Sequence, residues 1–145
     1  MTATDPFDLE RFVKAQAPVF ETVMAELSAG KKRTHWIWFI FPQLRGLGRS
    51  PTAEFFGIGS LEEARAFLGH PVLGPRLKRC TEAVLRIEGS SLHEIFGWPD
   101  EAKFISSMTL FAMADQDEKS VFRLALDRWH EGRLDERSVE LLRRT

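Results

Sequence analysis

The feature that most constrains the fold is an apolar run at residues 34–41, THWIWFIF, followed at once by Pro42. Such a run has no period that separates a buried strand from a short buried helix, and its aromatic and β-branched content favours a strand. No second segment of comparable strength exists to pair with it, however, and a lone strand leaves its backbone donors unsatisfied. We therefore expect a short buried helix that ends before Pro42.

The rest of the chain carries helical patterns separated by clear start and stop signals. The clearest amphipathic helix follows Val72, where apolar residues recur at spacings of three and four, at Leu73, Leu77, Cys80, Val84 and Ile87. Further helix starts are indicated at Asp5, Ser60, Ser91, Pro99 and Asp135. A length of 145 residues suits one domain. The prediction is one all-α domain over residues 1–145, with a core from 6 to 143 and about six to seven helices.

The segment at residues 43–59 is rich in glycine and proline and predicts one long Gly-rich loop. Its first part, QLRGLGRS, combines glycines, arginines and a serine hydroxyl, so backbone N–H groups there could converge on an anion. The sequence lacks the Gly-Lys-Ser/Thr ending of a P-loop, and a solvated connecting turn is the alternative. The candidate anion-binding residues are Gln43, Arg45, Gly46, Gly48, Arg49 and Ser50.

Composition excludes several classes of protein. Twenty basic and twenty-one acidic side chains give a net charge of −1, which argues against nucleic-acid or membrane partners. The single cysteine, Cys80, excludes an intramolecular disulfide, and the four histidines show no metal-ligand spacing. No signal or membrane-spanning segment is recognisable. We expect a cytoplasmic protein without a metal or cofactor, and the sequence leaves its oligomeric state open.

Two polar residues fall where the pattern predicts apolar ones. Gln16 follows Phe12 by four residues, so it should project from the core-facing side of the first helix. Its amide either satisfies backbone groups near the break at Pro18 or lines a pocket. His35 precedes the apolar run, where a helix N-terminus would keep its imidazole neutral. It is either a catalytic acid or base or a hydrogen-bonded core residue.

A second candidate group lies on the helix that follows Pro99. Lys103 and Ser107 are one turn apart, on the flank of its apolar face. A partly buried lysine needs an anion, from a protein carboxylate or a ligand, unless its ammonium group reaches solvent. The indoles of Trp36 and Trp38 could stack on a flat ligand, although aromatic residues at this spacing also form cores.

Five motifs in the chain resemble a bacterial family known as domain of unknown function 1810. They are FDLERFVKAQ at 7–16, the HW-x-W-x-FPQ-type block at 35–43, GLGRS at 46–50, HPVLGPRL at 70–77 and KFISSMTLF at 103–111. The resemblance implies a mainly helical fold and brings no established activity or catalytic residues. Some members carry a calpastatin label, which we discount because such an inhibitor segment would be disordered. The motifs contain Gln16, His35, Gln43, Ser50, Lys103 and Ser107, which favours a shared pocket.

Two functions are consistent with these observations. In the first, a pocket binds a phosphorylated or nucleotide-like (ADP-ribose-like) ligand, and any catalysis uses His35 as acid or base and Lys103 to neutralise charge. Whether the protein is an enzyme stays open. In the second, the chain is a non-catalytic regulatory or protein-binding module with Phe55 and Phe56 on its contact surface. Polar motif residues gathered around one cavity would favour the first function.

Overall fold

Ten helices run through residues 4–144, the part of the chain that the computed structural model describes, and this part contains no strand. They are α1 (Glu10–Gln16), α2 (Phe20–Ser28), α3 (Ile37–Ile40), α4 (Pro51–Phe56), α5 (Leu61–Gly69), α6 (Leu73–Leu85), α7 (Leu92–Phe96), α8 (Asp100–Ala114), α9 (Val121–Trp129) and α10 (Glu136–Arg143). The all-α prediction is confirmed, whereas the predicted number of six to seven helices is wrong. Several of the ten are short, and one lies where a loop was expected.

The apolar run forms the short helix α3, as predicted. Trp36 precedes it, and Phe41 ends it with a non-helical backbone (φ −121°, ψ 70°) directly before Pro42. The side chains of Trp36, Ile37, Ile40 and Phe41 are all buried. A helix satisfies its backbone groups internally, so this run needs no partner strand.

Helix α4 interrupts the predicted Gly-rich loop, so the prediction of one continuous loop at 43–59 is wrong. Ser50 caps α4 by accepting a hydrogen bond from the Ala53 N–H at 3.1 Å, and Pro51 occupies the first turn. A serine followed by a proline is a standard helix start, and this signal was present in the sequence. An isolated parallel bridge between Leu44 and Ile58 brings the two ends of the segment together.

Helix α8 is the centre of the fold and packs against α3, α5, α7, α9 and α10. Its residues from Phe104 to Ala112 are all buried, so no face of its middle part meets solvent. The ring of Phe104 lies between Phe41 and Phe96, with centroids 5.0 and 4.8 Å away. This packing fixes α8 and leaves its first turn at the surface. No helix within residues 4–144 has the length and apolar character needed to cross a bilayer.

A buried ion pair joins the first helix to the fifth. The Arg11 Nη2 lies 2.8 Å from the Glu63 Oε2, and each side chain is 6% exposed. The sequence pattern Ser60 to Glu63 is typical of a capping box, but only half of it forms. Ser60 accepts from the Glu63 N–H, while the Glu63 carboxylate accepts from Arg11 and from the Gly59 N–H at 2.9 Å.

Gly74 provides a test of the packing between α5 and α6. A Cβ atom at this position would lie 2.1 Å from the Leu68 carbonyl oxygen, so the two helices must separate to admit it. We expect Gly74→Ala to lower the free energy of unfolding by about 2–3 kcal/mol, although alanine favours helices. Gly69→Ala is the matched control because nothing lies within 4 Å of its Cβ position. Equal stability of the two variants in urea unfolding would contradict this packing.

Candidate functional site

A surface cleft of about 340 Å³ lies between the loop at 43–48, the start of α8 and the start of α10. The loop contributes Gln43, Leu47 and Gly48 to its lining, and residues 98–106 contribute Trp98, Lys103 and Ser106 among others. The third wall comes from Asp135 and Arg137. Three residues predicted from sequence, Gln43, Gly48 and Lys103, therefore line one cavity.

The ammonium group of Lys103 is held near the cleft without a hydrogen bond. Its Nζ lies 3.8 Å from the Asp100 Oδ1, and it sits 5.0 Å from the centroid of the Trp38 ring. The side chain is 22% exposed. Within residues 4–144 the ammonium donates no hydrogen bond, although it can donate three.

Asp100 is shared between two lysines. Its Oδ2 lies 2.7 Å from the Nζ of Lys32, whose side chain is 5% exposed. The ammonium of Lys32 also sits 5.2 Å from the centroid of the Trp36 ring. One carboxylate therefore faces two ammonium groups and pairs closely with the more buried one. The charge of Lys103 is therefore only partly balanced by Asp100, and an anion in the cleft would balance the rest.

The α10 wall places a fixed carboxylate beside a free guanidinium. Asp135 caps α10, and its Oδ2 accepts from the Ser138 N–H at 3.0 Å and the Ser138 hydroxyl at 2.6 Å. Ser106, across the cleft lining, donates to the same oxygen at 3.3 Å. Arg137 is exposed and forms no ion pair or hydrogen bond within the described part of the chain. Its charge is available to a ligand.

Trp98 lies at the rim of the cleft and is 74% exposed. Neither this residue nor Arg137, Asp135 or Ser106 was identified from the sequence as part of a site. A tryptophan next to a proline at a helix start gives no periodic signal, because it belongs to no apolar face. An exposed indole beside unpaired cations is informative only once the fold brings them together.

Three predicted residues lie in the interior or outside the cleft. Gln16 is 1% exposed and donates from Nε2 to the Phe39 carbonyl at 2.7 Å, so its amide is a structural tie. Trp36 is 1% exposed and donates from its indole to the Glu26 Oε1 at 3.0 Å, which leaves no room for a stacked ligand. His35 is exposed and is not among the residues that line the cleft.

Most of the predicted anion-binding loop is used to hold α4. Arg45 donates to the carbonyl groups of Glu54 at 3.2 Å and Gly57 at 2.9 Å, and Ser50 caps the helix. These hydrogen bonds occupy the side chains of two of the predicted anion-binding residues, Arg45 and Ser50, and neither residue lines the cleft. Arg49 is exposed and lies outside the cleft lining as well.

The two loop glycines are required by close packing. A Cβ atom on Gly48 would lie 2.6 Å from the Ala53 Cβ and 3.3 Å from the Gln43 Nε2. Gly46 has a φ of +105°, which favours glycine, and a Cβ there would lie 3.2 Å from Leu141. Gly48 thus lines the cleft beside Gln43, whereas Gly46 faces α10.

Ser107 and Trp38 carry polar atoms that stay unpaired. The Ser107 hydroxyl and the Trp38 Nε1 are buried, and neither has a hydrogen-bond partner in residues 4–144. Ser107 is fully buried, so it does not line the cleft; its neighbour Ser106 does. Helical spacing could not separate the two serines, because α8 is buried on every side at this level. Trp38 does not line the cleft, but its ring makes a cation–π contact with the Lys103 ammonium.

Glu26 anchors the segment that leads into α3. Its carboxylate accepts from the backbone N–H groups of Arg33 and Thr34, the Thr34 hydroxyl and the Trp36 indole, at 2.6 to 3.0 Å. Burial opposes its ionisation, but these hydrogen bonds outweigh burial and lower the pKa of Glu26 to about 2. Glu26 is therefore a structural carboxylate, fully ionised at neutral pH.

A reactive site could also be formed by the single cysteine or by a group of metal ligands. Burial raises the pKa of the Cys80 thiol to about 12, so it is not a nucleophile at neutral pH. No three His, Cys, Asp or Glu side chains in residues 4–144 are grouped so that they could hold a metal ion.

The fold is that of an all-helical protein with a surface cleft. The family model described as "Protein of unknown function (DUF1810)" matches residues 6–142, and the chain belongs to this family, as its motifs indicated. Among solved structures, it is similar to the conserved hypothetical protein Rv1873 from Mycobacterium tuberculosis, with 56% sequence identity and a TM-score of 0.94. That match covers 97% of this chain and 100% of the other. No curated protein matches the sequence.

Proposed function

We propose that the protein binds a small phosphorylated molecule in the cleft between the loop at 43–48, α8 and α10. The observation that carries the proposal is that Lys103 lines this cleft while its ammonium group has no hydrogen-bond acceptor and only a carboxylate 3.8 Å away that it shares with Lys32. A charged donor of this kind gains most from a ligand anion, because charge-assisted hydrogen bonds are stronger than neutral ones.

The surroundings of Lys103 support an anionic ligand. Arg137 offers a second unpaired cation from another wall of the cleft, and a guanidinium matches the geometry of phosphate oxygens. Gln43 is half-buried in the lining, and its side-chain amide forms no hydrogen bond within the described residues. These three groups supply donors from three different elements, as expected of a pocket that orients its ligand.

The proposal concerns binding rather than catalysis. His35 lies outside the cleft lining, so an acid–base role for it finds no support in this geometry. Asp135 lines the cleft, but its Oδ2 accepts three hydrogen bonds that cap α10 and tie it to α8. The role left to Lys103 is to neutralise charge on the bound molecule.

A protein-binding role through Phe55 and Phe56 receives less support. Phe55 is 56% exposed, but Phe56 is half-buried, with its ring centroid 5.7 Å from Phe12 and 5.4 Å from Phe39. One exposed phenylalanine is ordinary for a protein surface and does not form a contact patch.

A thermal-shift series tests the proposal. Inorganic phosphate, ribose 5-phosphate and nucleotides should raise the melting temperature, because a ligand at about 100 times its Kd stabilises the native state by about 2.7 kcal/mol. Lys103→Met should abolish the shift, and Lys78→Met, on the exposed side of α6, should retain it. The proposal fails if no phosphorylated compound gives a shift, or if both variants respond as the unaltered protein does.

A further inference from the structure

We infer that the cleft takes a molecule of nucleoside monophosphate size, with its single phosphate between Lys103 and Arg137 and its ring stacked on Trp98. This inference rests on the function proposed above and adds the size, charge and orientation of the ligand. Three independent observations carry it: the free face of one indole, the charge balance of the lining and the volume of the cleft.

The indole of Trp98 is an exposed stacking surface at the rim of the cleft. It is the most exposed of the large hydrophobic side chains in residues 4–144, and no other ring packs against it there. Pro99 follows directly and occupies the N-cap position of α8, so the Trp98 backbone lies next to the start of the helix that carries Lys103. Any of the common bases can stack on an exposed aromatic ring, because every base has a π face.

The charges of the lining fit one phosphate group. The charged side chains that line the cleft are Lys103, Arg137 and Asp135, which together carry a net charge of +1. The two cations belong to different helices that both line the cleft, and the inferred position of the phosphate is between them. The Asp135 carboxylate caps α10 and lowers the positive charge of the lining, which disfavours a ligand with more than one phosphate.

The volume of the cleft suits a small ligand. About 340 Å³ is near the lower end of the range of roughly 300–1,000 Å³ that small-molecule pockets span. One ring, one sugar and one phosphate match this space, whereas the dinucleotide NAD has two of each, and ADP-ribose has one base with two sugars and two phosphates. The Gln43 amide, which can both donate and accept, lies in the same lining and is available to the ring edge or the sugar.

Titration calorimetry on the whole protein tests the inference. We expect the best of the four common ribonucleoside monophosphates to bind at least tenfold more tightly than ribose 5-phosphate, and more tightly than ADP-ribose or NAD. Trp98→Ala should remove the tenfold preference and leave the affinity for ribose 5-phosphate within twofold. Leu124→Ala, which truncates another exposed apolar side chain on α9, is the control and should change neither affinity.

The phosphate half is tested separately. Arg137→Gln should weaken ribose 5-phosphate and the nucleoside monophosphate by the same factor, since both present one phosphate. The inference would be overturned if ADP-ribose or NAD bound more tightly than every nucleoside monophosphate, or if Trp98→Ala kept the preference for the nucleoside monophosphate over ribose 5-phosphate. In either case, binding of ribose 5-phosphate that depends on Lys103 would still support the proposed function. Absence of binding by every phosphorylated compound would overturn both.

Discussion

Replacement of Arg11 by methionine should lower the free energy of unfolding by about 3–5 kcal/mol, because it leaves the buried Glu63 carboxylate without its partner. The guanidinium also donates to the carbonyl groups of Phe55 at 2.9 Å and Gly57 at 3.1 Å, both at the end of α4. A single side chain thus connects α1, α4 and α5. Methionine fills much of the volume but satisfies none of these acceptors.

Urea unfolding of matched variants measures this effect. Arg65→Met, on the exposed side of α5, removes the same charge from a surface position and should change stability by less than about 0.5 kcal/mol. The double variant Arg11→Met, Glu63→Met should lose less than the two single losses combined, since the charges are then removed together. A loss for Arg11→Met as small as that of Arg65→Met would show that the ion pair does not stabilise the fold.

The second large effect concerns acid stability. The pKa of Glu26 is about 2 in the folded protein against an ordinary value of 4.5, so its contribution is complete above pH 4.5 and is lost as the pH falls towards 2. Glu26→Gln should lower the free energy of unfolding at pH 7 by about 3 kcal/mol. It should also flatten the dependence of stability on pH between 4.5 and 2.

The control for this prediction is Glu21→Gln. Glu21 is exposed on the same helix, and its replacement should leave both the stability at pH 7 and the acid limb nearly unchanged. Unfolding free energies measured at several pH values for the two variants show whether the Glu26 carboxylate is responsible for the acid limb. An acid limb in Glu26→Gln as steep as in the unaltered protein would contradict the role assigned to this carboxylate.

Local signals predicted the fold better than the site. Apolar periodicity and capping residues located most helices, and the missing partner strand correctly indicated a helix at 37–40. The error at α4 arose because the glycines around it outweighed the Ser50 and Pro51 pair that starts it. Glycine density marks a segment with tight packing here rather than one continuous loop.

The cleft could be predicted only in part, because its walls are distant in sequence. Gln43 and Lys103 were identified as polar residues in the motifs that resemble the family, but Trp98, Asp135 and Arg137 have no local feature that connects them. Tertiary packing of α10 against α8 brings them together. Patterns likewise could not tell that the Gln16 amide would find a backbone carbonyl rather than a ligand.

The bridge between Leu44 and Ile58 has a consequence for ligand recognition. The Arg45 N–H donates to the Ile58 carbonyl at 2.8 Å and the Ile58 N–H donates to the Gln43 carbonyl at 2.9 Å, so the Gln43 backbone is fastened before any ligand arrives. The loop at 43–48 is ordered when the chain folds, so ligand binding does not carry the entropic cost of ordering it. For the ligand proposed above, this wall of the cleft would therefore be preorganised, and the affinity would depend on the contacts it offers and not on loop closure.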